Sequence, residues 1–351
     1  MGEYIFRRLN EMEARGGFNE IIKVSLQALE DKDLLSFHKM IQTNIERVIK
    51  KIHRQVSSYW VDPIPIYQTD KNPYSYRLDI KNIEQESIPP LISLTTISGR
   101  LDRVYRTIET IKNQNAVVHS INLYISSTPY LLDMGIDRDN EELRKIHELG
   151  VNIYLVPNIG PYRKQIPIVY QLKNNHAPLA TPIITIDDDV IYPNNIIERL
   201  MSVKDYVVVA HRGRCMAIDN EKKAVGIYSS FTSPKQKRDY LNLGTGKNGI
   251  LYRLGFFPDK IDGYIGPLIA PTADDLWCKW VTAFLCIPTE ILEPEAAYNP
   301  KLDFEESNPE DKNGLFHVFN NKGSNDVAIA NLENYYLCNF GQNLSTIYSF
   351  K

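Results

Sequence analysis

The spacing of apolar and polar positions changes character twice along the chain. Leu26, Leu29, Leu34, Phe37, Ile41, Ile45, Val48, Ile49, Ile52 and Val56 recur at mostly three- and four-residue steps, the apolar stripe of amphipathic helices. Asn19 and Asp31 stand where N-caps are needed, the latter dividing the stretch into two helices. Residues 1–60 therefore read as a helical N-terminal region, whose stripe must dock on the main domain or on another subunit or partner protein. Residues 61–90 lose the period, broken by Pro63, Pro65, Pro73, Pro89 and Pro90, and read as a connector with room for one short strand. After Pro90, short apolar runs alternate with helical segments. Strands are expected at 91–95, 121–125, 151–156, 182–186 and 206–210, and helices at 101–114, 140–149, 165–175 and 193–201, with Gly150 as a C-cap.

Strands alternating with helices of about ten residues imply βαβ units and a largely parallel sheet. The expected fold is α/β: a Rossmann-like, mixed but mostly parallel sheet flanked by helices, spanning 91–300 behind the helical extension. Residues 301–351 would complete the site or cover it. Ligands of such sheets bind beyond the carboxyl ends of the strands, which directs attention to the loops after Thr95, Ile125, Val156 and Ile186.

Composition narrows the function classes. The chain has 351 residues, 43% of them hydrophobic, and a formal net charge of -3. That balance offers no basic face for nucleic acid and no acidic solvating tail. Cys215, Cys278, Cys286 and Cys338 form no CxxC pair, so four reduced thiols are expected. The opening MGEYIFRRLNEMEARGG lacks the apolar core of a signal peptide, and no apolar run approaches the roughly 18 residues of a membrane helix. The expectation is a soluble cytoplasmic protein.

The chemistry concentrates in TPIITIDDDVIYP, residues 181–193, where a buried strand runs into Asp187, Asp188 and Asp189. Adjacent carboxylates at a strand end repel one another, and a hard divalent cation with oxygen ligands offsets that cost. On an extended segment Asp187 and Asp189 point to one side. The bland alternative is a solvated acidic turn with Asp189 capping the next helix. A phosphorylated-aspartate hydrolase does not fit, because the triplet lies several strands into the domain and is followed by Val190, Ile191 and Tyr192.

With these residues in view, the chain resembles GT-A fold glycosyltransferases. ISLTTISGRLDRVYRTIETIKNQ is similar to the opening strand, loop and helix of that fold, and IDDDV to its DxD signature. LGTGKNGILYRLGFF is similar to the glycine-rich acceptor-side segment, and PTADDLWCKW to the acidic pair opening a late helix. The resemblance covers about 91–288. It divides between family 2 enzymes of bacterial surface polysaccharide synthesis, which invert the anomeric centre, and exostosin-like transferases, which retain it.

The resemblance implies a hexosyl- or N-acetylhexosaminyl-transferase using a nucleotide-diphosphate sugar, with UDP the expected nucleotide. Asp189 and Asp187 would hold Mn2+ or Mg2+, and fold relatives draw a third ligand from the region of His317. Thr95, Thr96, Arg100, Lys164, Asp187 and Asp188 would contact the donor. Charge grows on the leaving diphosphate, which the metal would neutralise. Asp275 would take the proton of an acceptor hydroxyl that Asp274 helps hold. The acceptor would be a glycan or lipid-linked glycan, the latter bringing the protein to the inner face of the cell membrane. Arg163 and Lys164 are further cations, Arg212 or Arg214 would meet the acceptor or the phosphates or else lie on the surface, and Lys322 sits on an expected lid. The loop 158–167 lacks the AxN pattern of family 2 enzymes.

For His317, Lys164 and the acidic pair, plain packing, a solvated charge and helix capping are the structural alternatives. Two other classes remain beside the transferase. A sugar nucleotidyltransferase needs a glycine-rich basic loop on the first strand, and TTISGRL has one glycine. A non-catalytic carbohydrate-binding or scaffold protein would not need acids at both motifs.

Overall fold

The computed structural model describes residues 54, 63–67, 88–219, 221, 224–259, 264–292, 305–306 and 314–349. The helices expected over 1–60 and most of the connector over 61–90 lie outside the described residues.

Nine strands form the central sheet: β1 (Ile64–Pro65), β2 (Leu91–Thr95), β3 (Ser120–Ile125), β4 (Asn152–Leu155), β5 (Pro182–Thr185), β6 (Val208–Ala210), β7 (Arg238–Asp239), β8 (Ile250–Arg253) and β9 (Thr289–Ile291). Their spatial order is β1-β4-β3-β2-β5-β8-β6-β9-β7. β4, β3, β2 and β5 are mutually parallel, as are β6 and β9. β8 is inserted antiparallel between β5 and β6, and the edge strands β1 and β7 also run antiparallel to their neighbours. The chain is thus α/β with a mixed, mostly parallel sheet. Among the described residues, no helix is long and apolar enough to cross a membrane.

The helices are α1 (Leu101–Lys112), α2 (Glu141–Glu148), α3 (Ile166–Asn174), α4 (Ile196–Met201), α5 (Asp274–Phe284) and α6 (Ser324–Phe340). Local chemistry sets several bounds. Asn140 accepts the Glu142 N–H at the start of α2 (2.9 Å), and Gly150 after its end has φ +80°, the left-handed geometry that glycine adopts freely. Alternation along each strand divides the core in two. Leu91, Ile183 and Val208 face a cluster with α3, α5 and α6, whereas Ile92, Ile184 and Val209 face one with α1, α2 and α4. With helices on both faces, β2 and β5 can be nearly continuous apolar runs.

After β2 the chain lays β3 and β4 on one side and returns to place β5 on the other. The strand order therefore reverses between β2 and β5, the switch point at which open α/β sheets bind ligands. The C-terminal segment joins the same core. Glu333 on α6 accepts from the Trp280 indole (3.1 Å) and from the Leu344 N–H (3.0 Å), and burial raises its pKa against those donors.

Lys279 on α5 is a cost built into this core. It is 3% exposed and its Nζ has no hydrogen-bond partner among the described residues. Burial drives its pKa down to about 7 against the attraction of Asp239 and Cys215. Replacing it with an apolar side chain of similar length, Lys279→Met, should raise stability at pH 7 by about 1–3 kcal/mol. Between the folded pKa near 7 and the unfolded value of about 10.4, the unfolded chain holds a proton that the native state has lost. Wild-type stability therefore climbs with pH across that window, and the advantage of Lys279→Met should shrink from pH 7 to pH 10. Urea titrations at the two pH values measure it.

Candidate functional site

Four loops and one helix start meet beyond the carboxyl ends of the central strands. They are the turn Ser98–Arg100 after β2, the turn Gly160–Lys164 after β4, the triplet after β5, the turn Gly246–Asn248 before β8, and the first residues of α5. Together with residues 314–317, 320 and 325 they line a cavity of about 500 Å³.

The acidic triplet does not continue extended. Its chain turns over Asp188 and Asp189 before the short strand Val190–Ile191, so it is not the extended segment expected to carry Asp187 and Asp189. The cause is Asp188. Its Oδ2 accepts from Thr96 Oγ1 (2.6 Å), its Oδ1 from Arg100 (3.0 Å), and its carbonyl from Thr107 Oγ1 (2.9 Å). Asp188 therefore ties the β2 loop and α1 to the end of β5. Asp189 shares the same guanidinium (3.1 Å) and keeps 38% of its side chain exposed. Burial, then repulsion from Asp188 and Asp187, pushes its pKa up to about 6 against Arg100 and Lys247. All three aspartates line the cavity.

Asp187 belongs to a second network. Its Oδ1 accepts from Lys164 Nζ at 2.6 Å, and the same ammonium lies 3.2 Å from Asp274 Oδ2. Gln165 Nε2 also donates to Asp274 (3.0 Å). Burial opposes the charge on Lys164, but Asp187, Asp274 and Asp275 outweigh it and hold the ammonium well above the ordinary lysine range. Lys164, expected to reach a diphosphate or ribose, is thus the bridge between the two acidic motifs. Beside it, Asp275 Oδ2 accepts the Gly246 N–H (2.8 Å), while its buried Oδ1 has no hydrogen-bond partner among the described residues. Burial and the adjacent Asp274 push the Asp275 pKa up to about 7, with Lys164 opposing. A side chain at 246 would crowd this network, since a Cβ there would lie 3.0 Å from Asp275 Oδ1 and 3.2 Å from Lys164 Nζ. Edge-to-face packing of Tyr162 on Trp277, centroids 5.6 Å apart, fixes α5 against the turn carrying Lys164.

A third pair was not anticipated in full. Arg163 and Asp133 are 1% and 2% exposed and 2.7 Å apart. Arg163 also donates to the Thr96 carbonyl (3.0 Å), and Asp133 accepts the Ser98 N–H (2.9 Å). Together they clamp the β2 loop from beneath. Asp133 carries no motif, and its only signal was the acid within a wall segment, Tyr130–Asp133, that also lines the cavity.

The other expected residues fall as follows. Thr95 lines the cavity, but its hydroxyl donates to the Tyr124 carbonyl (2.7 Å). His317 sits on a helical turn, Leu315–Val318, exposed and on the cavity wall. It is therefore not packed in the core. Arg212 and Arg214 line the cavity, whereas Lys322 is exposed and does not.

Among the described residues, no three His, Cys, Asp or Glu side chains converge as a ready-made metal site. Magnesium and manganese suit a smaller donor set, commonly taking one or two carboxylates and completing their shell with water and ligand phosphates. Asp189 fits that role: it is open to the cavity, and its raised pKa marks negative charge that a cation would relieve. Asp187 is its neighbour.

The fold and cavity define an α/β protein with an acidic, cation-bridged site at its switch point. No protein-family model and no curated protein matches the chain.

Proposed function

We propose that the protein is a metal-dependent glycosyltransferase of GT-A fold, moving a sugar from a nucleotide-diphosphate sugar, with UDP the first nucleotide to test, to a hydroxyl of a glycan or glycolipid. One observation carries this reading. The triplet Asp187–Asp189 and the pair Asp274–Asp275 face a single cavity and are joined through Lys164, at 2.6 Å from Asp187 and 3.2 Å from Asp274. Glycosyl transfer needs negative charge stabilised at one end and a proton removed at the other.

Asp189 and Asp187 would hold the divalent ion, which supplies Lewis-acid stabilisation of the diphosphate. Arg100 and Thr96 keep Asp188 turned inward, leaving Asp189 toward the cavity. On the other side, Asp275 lines the cavity, and its buried Oδ1 has no hydrogen-bond partner among the described residues; this carboxyl would accept the acceptor hydroxyl proton. The hydroxyl oxygen then bonds to the anomeric carbon as the bond to the diphosphate breaks, and that electron pair stays on the diphosphate oxygen. Thr95, Thr96 and Arg100 line the part of the wall suited to the nucleoside and its phosphates.

Thermal shift with UDP-, GDP-, CMP- and TDP-linked sugars, with and without manganese, tests the reading. One nucleotide sugar should raise the melting temperature in a manganese-dependent way. Asp189→Asn should weaken its binding about tenfold, as loss of a charge-assisted contact does, and remove the manganese dependence. If none of these donors binds, or Asp189→Asn binds with unchanged affinity and manganese response, the assignment fails.

A further inference from the structure

Gly213–Cys215 is a short strand paired antiparallel with Asn242–Gly244. Its alternation sends Gly213 into the core, where a Cβ would lie within 2.4 Å of Ile291 and of the Leu243 carbonyl. Arg214, the next residue of the strand, points the opposite way, and both it and Arg212, in the bend just before the strand, line the cavity. The Arg214 guanidinium lies over the Tyr228 ring, 5.4 Å from its centroid, a contact that orients the cation.

The charges around the cavity are not evenly matched. Arg100 is taken by Asp188 and Asp189, Arg163 by Asp133, and Lys164 by Asp187 and Asp274. Among the described residues, Arg214 forms no ion pair; its interaction is with the Tyr228 ring. A half-buried guanidinium facing a cavity without a carboxylate is suited to an anion from outside. Its place within the cavity is also distinctive. The Arg212 carbonyl accepts the Thr245 N–H (3.0 Å), and the next residue, Gly246, donates its N–H to Asp275 Oδ2 (2.8 Å). The arginine corner therefore adjoins the proton-accepting carboxylate.

We infer that Arg212, Arg214 and Tyr228 form a phosphate-binding subsite for the acceptor, so that the molecule receiving the sugar carries a phosphate or diphosphate group near the hydroxyl that reacts. This rests on the transferase reading given above. Guanidinium forks match the oxygens of a phosphate better than a neutral sugar hydroxyl. A soluble sugar phosphate and a lipid-linked diphosphate both present this chemistry.

The probes are glucose 6-phosphate, farnesyl diphosphate and unphosphorylated glucose, titrated calorimetrically into the protein saturated with UDP and manganese. A phosphorylated probe should bind while glucose does not, and the tighter of the two phosphorylated probes distinguishes a soluble from a lipid acceptor. Arg214→Ala should weaken that binding about tenfold or more, Arg214→Lys less, with UDP affinity held within about twofold. Equal loss of UDP and probe affinity in Arg214→Ala would assign the arginine to the donor diphosphate and overturn the inference. So would phosphorylated probes that bind no better than glucose, or that bind Arg214→Ala unchanged. Failure of UDP and the other nucleotides to bind at all would instead count against the transferase reading. In that case the same titrations into the unloaded protein, wild type against Arg214→Ala, still decide whether the subsite binds phosphate.

Discussion

Asp275→Asn is expected to lower turnover of sugar transfer by about 10²–10⁴-fold, the range for a lost general base, while nucleotide binding and fold stay near wild type. The amide keeps an oxygen for the Gly246 N–H that Oδ2 now accepts at 2.8 Å, so the turn over residue 246 should hold. What disappears is a basic oxygen, the buried Oδ1, which has no partner among the described residues. Burial and Asp274 place the Asp275 pKa at about 7, so the carboxylate ionises close to neutral pH and still has a strong affinity for a proton. In the wild type, kcat/KM should rise with pH through about 7, because only the ionised form accepts the proton. Asp275→Asn should lose that ascending limb along with the rate. Turnover within a factor of two of wild type, or an unchanged pH profile, would remove Asp275 from the chemistry.

The parts of this arrangement that were legible in the sequence are those written locally. β2 occupies 91–95 as expected, because Pro90 and a polar loop bound an apolar run that is buried on both faces. Asn140 and Gly150 bracket α2 through their own backbone preferences. The two acidic motifs were visible as unusual charge beside apolar elements. Their connection was not, because Lys164 meets Asp187 across 23 residues and Asp274 across a far longer interval. Nothing in the neighbourhood of Lys164 distinguishes a bridging cation from a solvated one. The antiparallel insertion of β8 between β5 and β6 is equally non-local: its residues ILYR read as a strand in either direction. The turn over Asp188 escaped for the same reason, since its cause is a hydroxyl and a guanidinium on the β2 loop.

That pattern of long-range pairing explains how so many charges share one small cavity. Each acidic motif is held by a cation from a different loop, so the loops cannot shift independently, and the carboxylates are positioned before any ligand arrives. Such preorganisation is what makes fixed charges effective on a developing transition state. It also makes the cavity a liability when a single charge is taken away.

Lys164→Met is expected to show that liability most clearly, with a loss of about 3–5 kcal/mol of stability near pH 8, the cost of leaving buried charges without their partner. The lysine is only 5% exposed, and its removal leaves Asp187, Asp274 and Asp275 repelling one another. The loss should depend on pH in a definite direction. Asp275 already has a folded pKa of about 7, against an unfolded aspartate value of about 3.9, and without the ammonium it should rise further. A carboxyl whose folded pKa is raised contributes stability at low pH that is lost as pH rises through that folded value. The gap between wild type and Lys164→Met should therefore be small at pH 5 and widen toward pH 8, as read from urea midpoints. Adding Asp274→Asn to Lys164→Met removes one of the opposed charges and should recover a substantial part of the loss at pH 8. A single variant as stable as wild type at that pH, or a double variant with no recovery, would mean that the two acidic motifs do not depend on the ammonium between them.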